Sequence, residues 1–98
     1  MVCEIVRFTD DHFPRWVEAR FVDADGLEWV FEDKVPIFTA ADLRADTRYP
    51  VPAVIRCVVI DSDESLGRTL IDTSRPDGLT AKDGVTTRFW VESRHVTP

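Results

Sequence analysis

An acidic stretch in the middle of the chain has part of the spacing of a calcium-binding loop. Asp61, Asp63 and Ser65 alternate along the chain, and Asp72 lies eleven positions after Asp61. Oxygen donors at such intervals are typical of an EF-hand loop. That loop requires glycine at its sixth position, however, and Leu66 stands there. We therefore interpret this stretch as an acidic turn and expect no metal site.

Cysteine, histidine and serine residues offer nucleophilic catalysis as a second kind of chemistry. His95 could act as the base that activates Ser93 or the distant Cys3, but no motif brings these residues together.

Cys3 and Cys57 both lie in apolar stretches and form no Cys-x-x-Cys pair. We expect two reduced, buried thiols, with a disulfide between two strands as the alternative. His12 and His95 are expected to be solvated surface residues.

Carboxylates are plentiful enough for general acid and base catalysis. A pair such as Glu28 and Glu32, or Asp61 and Asp63, could serve if a cleft raised one pKa. Carboxylates on turns and outward strand positions are common without such a role. The chain has only four glycines and carries no nucleophile elbow, phosphate-binding loop or dinucleotide fingerprint. The sequence therefore indicates no catalytic residue and no cofactor.

Two tryptophans and two arginines fall at positions predicted to face solvent. Side chains alternate between the two faces of a strand. With the aliphatic and phenylalanine side chains inward, one strand presents Trp16 and Arg20 outward and the last strand presents Arg88 and Trp90. Trp and Arg are enriched at protein interfaces, so we expect these four residues to form a contact surface if the two strands are neighbours. The alternative is that the rings pack under a loop or stack on arginine within the chain.

The elements that must position these residues are strands. Apolar and polar residues alternate from end to end, with turn-forming residues at intervals of about 8–12. The pattern predicts six segments, of which the fourth is apolar on both faces and should be central: Val2–Thr9, Arg15–Val22, Leu27–Asp33, Ala53–Ile60, Arg68–Thr73 and Val85–Ser93.

Local signals refine this outline. Asp25-Gly26 predicts a tight hairpin between the second and third strands, because glycine accepts a positive φ. The segment 35–38 should be an edge strand or a bend, since Pro36 has no N–H to donate. Thr39, with Asp42 three residues later, predicts one helical turn over residues 39–44.

These elements predict an all-β fold, a small antiparallel β-barrel or sandwich of about six strands with at most one short helical turn. A chain of 98 residues forms one globular domain, residues 1–98, with a single core. The alternation places eight side chains in that core: Val17, Phe21, Trp29, Phe31, Val58, Ile60, Phe89 and Val91.

The charge balance restricts the partners. Eighteen acidic and twelve basic residues give a net charge of −6, which opposes binding to nucleic acid. The acidic excess lies in residues 1–65, with fourteen acidic and seven basic side chains, against four and five in residues 66–98. The N-terminal residues lack the pattern of a secretory signal, and no apolar run is long enough to span a membrane. We expect a soluble, cytoplasmic protein.

Two functions are compatible with this sequence. The preferred one is an acidic module that binds a protein partner, as an inhibitor or adaptor for a basic protein or as a subunit of its own oligomer. The alternative is a small enzyme or ligand carrier with a pocket at the mouth of the barrel. A flat Trp-Arg surface would favour the first, and a deep pocket holding a titratable group with a shifted pKa would favour the second.

Overall fold

The computed structural model describes residues 1–96 and contains two antiparallel sheets. The larger sheet has the strand order β3-β2-β1-β4, and the smaller has the order β5-β6-β7. No helix of the described residues is long and apolar enough to cross a bilayer. The elements are β1 (Val2–Asp10), β2 (Trp16–Val22), β3 (Glu28–Lys34), α1 (Val35–Phe38), β4 (Val51–Val54), β5 (Val58–Asp63), β6 (Arg68–Asp72), β7 (Arg88–Glu92) and a 3-10 turn at Ser93–His95.

The predicted hairpin at Asp25-Gly26 joins β2 and β3. Gly26 has a φ of 83°, a left-handed conformation that glycine adopts without a steric penalty. Asp23 holds the turn together: its Oδ1 accepts hydrogen bonds from the N–H groups of Asp25 and Leu27, at 2.9 and 3.0 Å. Its Oδ2 accepts a third from Trp29 Nε1 at 2.8 Å. The tip also joins the second sheet, because Ala24 N–H donates to the carbonyl oxygen of Trp90 at 2.9 Å.

Aromatic rings from both sheets form the centre of the core. Phe89 of β7 lies with its ring centroid 5.2 Å from Phe21 of β2 and 5.8 Å from Phe31 of β3. Five of the eight predicted core residues are buried as expected, and Trp29 is partly buried against them. The buried five are Val17, Phe21, Phe31, Phe89 and Val91.

The predicted central strand Ala53–Ile60 is wrong. Its residues divide between β4 and β5, which belong to different sheets. Between them Ile55 is fully buried and exchanges hydrogen bonds with Met1. Val58 and Ile60, which were predicted to be core, are 36% and 43% exposed. The reason is that Val58, paired with Asp72, points to the outer side of the smaller sheet, and Ile60 lies at a bulge between Val59 and Asp61 in the edge strand β5.

The short helix also lies elsewhere than predicted. It forms over Val35–Phe38, where an edge strand or bend was expected, while residues 39–44 are not helical. Proline is tolerated in the first turn of a helix, because the N–H groups there have no partner within the helix. Val35 and Phe38, three positions apart, bury the same side of this turn. Thr39 Oγ1 accepts a hydrogen bond from the N–H of Ala41, so its side chain closes a turn and does not cap a helix.

The fold class is confirmed, with one of its two alternatives set aside. Seven strands form instead of six, all pairings are antiparallel, and the two sheets do not close into a barrel. The arrangement is of the sandwich type. The last strand starts at Arg88 and not at Val85, because Asp83 accepts hydrogen bonds from Val85 and Thr86 and holds them in a turn.

Candidate functional site

The four predicted contact residues lie on two surfaces. Trp16 and Arg20 belong to β2 in the larger sheet, and Arg88 and Trp90 belong to β7 in the smaller one. The two strands meet through their inward side chains, since Phe89 packs against a β2 phenylalanine in the core. Their outward side chains therefore point away from each other. The assumption that the two strands are neighbours in one sheet is wrong, because the aromatic contact across the core keeps them in separate sheets.

On the larger sheet, Trp16 and Arg20 are both engaged within the chain. Lys34 places its Nζ 5.7 Å from the centroid of the Trp16 ring, within the range of a cation–π contact. The Arg20 guanidinium lies between two carboxylates, at 3.5 Å from Glu4 and 3.7 Å from Glu28. Both residues are half-buried. Both side chains are thus engaged within the chain, although the ring faces a lysine and not the loop or arginine that the alternative interpretation named.

On the smaller sheet, Trp90 keeps much of its surface free. It is 36% exposed and lies directly across from Leu70 of β6. Arg88 donates from Nε to Asp72 at 3.3 Å, and its side chain is otherwise largely exposed. Asp72 also accepts hydrogen bonds from the hydroxyl and the N–H of Ser74, which with Arg88 lower its pKa to about 2 although burial opposes this. The carboxylate therefore stays ionised and holds Arg88 beside Trp90.

The strand register extends this surface across the whole smaller sheet. One row of paired residues runs Val58, Asp72, Arg88, and the next runs Asp61, Leu70, Trp90. We call the surface formed by Val58, Asp61, Leu70, Arg88 and Trp90 the Trp90 face. Leu70 and Trp90 are its apolar centre in one row, and Asp61, Asp72 and Arg88 are the charged side chains around them.

The edge of this sheet was missed by the sequence analysis. The β5 residues Val58, Val59 and Ile60 are exposed although all three are apolar and β-branched. Asp61 and Asp63 follow in the same strand. Charged residues within a strand are typical of a sheet edge, and these two aspartates are the signal from which the edge could have been predicted.

A cavity of about 440 Å³ opens at the start of β1. It is lined by apolar residues together with Cys3, Glu4, Arg20 and His95. The structure thus brings Cys3 and His95 to one cavity, which no sequence motif predicted. Burial raises the pKa of the Cys3 thiol to about 12, so it remains protonated at neutral pH. A protonated thiol is a poor nucleophile, and the pair does not form an activated Cys-His site.

The remaining sequence candidates are local turns and separate side chains. Asp63 Oδ1 accepts hydrogen bonds from the Ser65 hydroxyl at 2.6 Å and the Leu66 N–H at 3.2 Å, and these bonds lower its pKa. Its carboxylate thus closes the turn between β5 and β6. Within residues 1–96, no three His, Cys, Asp or Glu side chains gather as a metal site would require. Glu28 and Glu32 stand four positions apart in β3, about 13 Å along the strand, which is too far for them to share a proton.

Comparison with known proteins adds no assignment to this geometry. The chain matches no protein-family model, no curated protein and no solved structure.

Proposed function

We propose that this chain is a protein-binding module and that the Trp90 face is its contact surface. One observation carries the proposal: a tryptophan of the edge strand β7 stands 36% exposed on the outer face of the sheet, beside Leu70 and flanked by Arg88. Tryptophan and arginine dominate binding hot spots because they bury much surface and still offer polar contacts. Trp16 and Arg20, on the other sheet, are assigned to contacts within the chain.

The charge of the chain supports a basic partner. A net charge of −6 attracts proteins of opposite sign and speeds their encounter. The same charge disfavours nucleic acid, whose phosphates would be repelled. We further propose that the protein acts in the cytoplasm and does not bind a membrane. Its two cysteines, which form no Cys-x-x-Cys pair, are better suited to a reducing compartment than to an oxidising one.

Two matched tryptophan variants test the proposal. Trp90→Ala should weaken binding to a co-purifying partner about 30-fold, equivalent to about 2 kcal/mol at an interface hot spot. Its free energy of unfolding should change by less than about 1 kcal/mol, because the ring is partly solvated. Trp16→Ala should leave binding unchanged. The binding is measured by titration calorimetry after capture of the partner from the native cell.

The opposite result would remove the Trp90 face as the contact surface. Equal binding by wild type and Trp90→Ala, with both folded, would show that the partner docks elsewhere. A loss of about 3 kcal/mol of stability with binding unchanged would assign the Trp90 ring to the core.

The cavity at the start of β1 favours a second candidate, a ligand carrier. Its apolar lining includes Met1 and Phe21, and Arg20 and His95 lie at the wall. A volume of about 440 Å³ is within the range of small-molecule sites. The chemistry fits a neutral apolar molecule, because Glu4 at the same wall and Glu28 already balance the charge of Arg20. A medium-chain aliphatic alcohol should then raise the Tm of wild type and leave that of the cavity-filling variant Val2→Trp unchanged, and equal shifts in both proteins would reject this candidate.

A further inference from the structure

The strand β5 is an open edge of the smaller sheet. It pairs with β6 on one side, and no backbone hydrogen bond of the described residues engages its other side. The opposite edge of this sheet, β7, is in contact with the hairpin tip through the Ala24–Trp90 hydrogen bond. Six residues give β5 a length of about 20 Å. A bulge between Val59 and Asp61 interrupts the regular ladder at Ile60, and the free N–H and C=O groups on either side of it form a template on which another strand can pair.

Apolar side chains are exposed on both sides of this edge. Val58 belongs to the Trp90 face, whereas Val59 pairs with Ile71 and points to the inner side of the sheet. Ile71 is fully buried, yet Val59 is 58% exposed, so the cover from the larger sheet ends between β6 and β5. A strand added beside β5 would shield these side chains from water on both faces. The edge thus offers apolar burial in addition to backbone hydrogen bonds.

The second half of the edge is acidic and only partly compensated by cations of the chain. Asp61 and Glu64 form no ion pair within 4 Å with any described cation. Asp63 lies across from Arg68, whose charge adds to the hydrogen bonds of the turn in lowering the pKa of Asp63, but the Arg68 guanidinium forms its ion pair with Asp25 at 3.1 Å. Elsewhere in residues 1–96 carboxylates do have such partners, as Glu18 has in Lys82 at 2.9 Å. A basic segment paired with β5 would supply the missing positive charges. Opposite charges on paired strands stabilise the pairing, and like charges destabilise it.

The charge pattern of β5 indicates which kind of strand can pair with its open edge. A second copy paired antiparallel in full overlap would set Val58 against Asp63, placing carboxylates opposite apolar side chains. A second copy paired in parallel would set each aspartate beside its own equivalent. Both arrangements are unfavourable, whereas a segment with basic and apolar halves matches the edge along its length.

We propose that the β5 edge binds an extended segment of a partner protein by antiparallel strand addition. The segment carries two basic residues first and β-branched apolar residues after them. The order follows from the direction of β5, which runs from apolar to acidic residues. The antiparallel orientation continues the pairing of this sheet and is the slightly more stable one. This inference rests on the proposed protein-binding function and assigns its partner a sequence type.

The test uses the full chain and a labelled six-residue probe, acetyl-Lys-Thr-Arg-Val-Val-Thr-amide, in fluorescence anisotropy. We expect saturable binding that weakens with salt and that falls at least tenfold for Asp61→Lys. The matched control Glu32→Lys changes an exposed, unpaired acid of β3 and should bind the probe nearly as wild type. A probe with both basic residues replaced by glutamate should bind wild type at least tenfold more weakly and should regain affinity for Asp61→Lys, which leaves the turn-closing carboxylate of Asp63 in place.

Backbone methylation tests the strand itself. Two further probes carry N-methyl groups on alternate amides, one set facing β5 and the other facing solvent. The probe methylated on the amides that face β5 should lose binding, and the probe methylated on the amides that face solvent should keep it, as a paired strand requires. Equal binding of both methylated probes, or of the basic and acidic probes, would overturn the proposal. A concentration-dependent dimer in sedimentation that Ile60→Lys abolishes would also overturn the proposal, since a second copy of the chain would then occupy the β5 edge.

The outcomes separate this inference from the proposed function. Absence of probe binding together with partner binding that depends on Trp90 would overturn strand addition and leave the protein-binding function standing. Probe binding that Trp90→Ala leaves intact would support strand addition at β5 independently of the Trp90 face.

Discussion

Truncation of Phe89 to alanine should be among the most destabilising single changes in this domain. The ring is 3% exposed, and its centroid lies 5.0 Å from that of Trp29, 5.2 Å from Phe21 and 5.8 Å from Phe31. Because these partners come from the larger sheet, the ring joins the two sheets across the core. Its removal therefore weakens the packing that holds the fold together.

The magnitude follows from burial and from the three ring contacts. Loss of the apolar transfer free energy of the ring costs about 2 kcal/mol. Each aromatic pair adds roughly 0.5–1.5 kcal/mol beyond its buried area. Partial collapse of the cavity recovers some of this loss, so Phe89→Ala should reduce the free energy of unfolding by about 3–5 kcal/mol. A small domain has about 5–15 kcal/mol in total, so this loss is a large part of it.

Urea denaturation followed by circular dichroism measures the loss. Phe89→Leu should cost less, about 1–2 kcal/mol, and keeps the experiment informative if the alanine variant does not fold. Phe13→Ala is the control: that ring is 94% exposed in the turn between β1 and β2, and its loss should change stability by less than about 0.5 kcal/mol. A loss below about 1 kcal/mol for Phe89→Ala, with an unchanged slope, would refute the assignment of this ring to the core.

Three further changes test the local structure. Asp23→Ala removes the acceptor of three hydrogen bonds in the hairpin and should cost about 1.5–3 kcal/mol in urea melts, with a shift in the fluorescence of Trp29. The pKa of Asp72 is about 2, against an ordinary value of 3.8, so its ionised carboxylate stabilises the folded state fully above about pH 4. This stabilisation is lost as the pH falls through about 2. The difference in Tm between wild type and Asp72→Asn should therefore narrow between about pH 4 and pH 2. A thiol reagent at pH 8 should modify Cys57 before Cys3, because Cys3 is more deeply buried and its pKa is raised to about 12, and equal rates would contradict its burial.

The sequence by itself determined five of the strands, β1, β2, β3, β6 and β7, and which of their side chains share a face. Val17 and Phe21 point inward in β2, and Phe89 and Val91 in β7, as the alternation predicts. The hairpin at Asp25-Gly26 could also be predicted. These features depend on the pleat and on local backbone sterics, which adjacent residues decide.

The tertiary structure alone decided what covers each face and which strands are neighbours. Val59 and Ile71 are both β-branched and paired, yet one is exposed and the other is buried, because the larger sheet ends above β6. The same placement separates Trp16 from Trp90 and brings Cys3 to the cavity that His95 lines. Alternation describes a strand relative to its own axis, whereas cover and pairing depend on contacts between residues far apart in the chain. For that reason the sequence predicted the Trp90 face only in part, and, although Asp61 and Asp63 indicate an edge strand, only the folded structure shows that the outer side of β5 has no neighbouring strand.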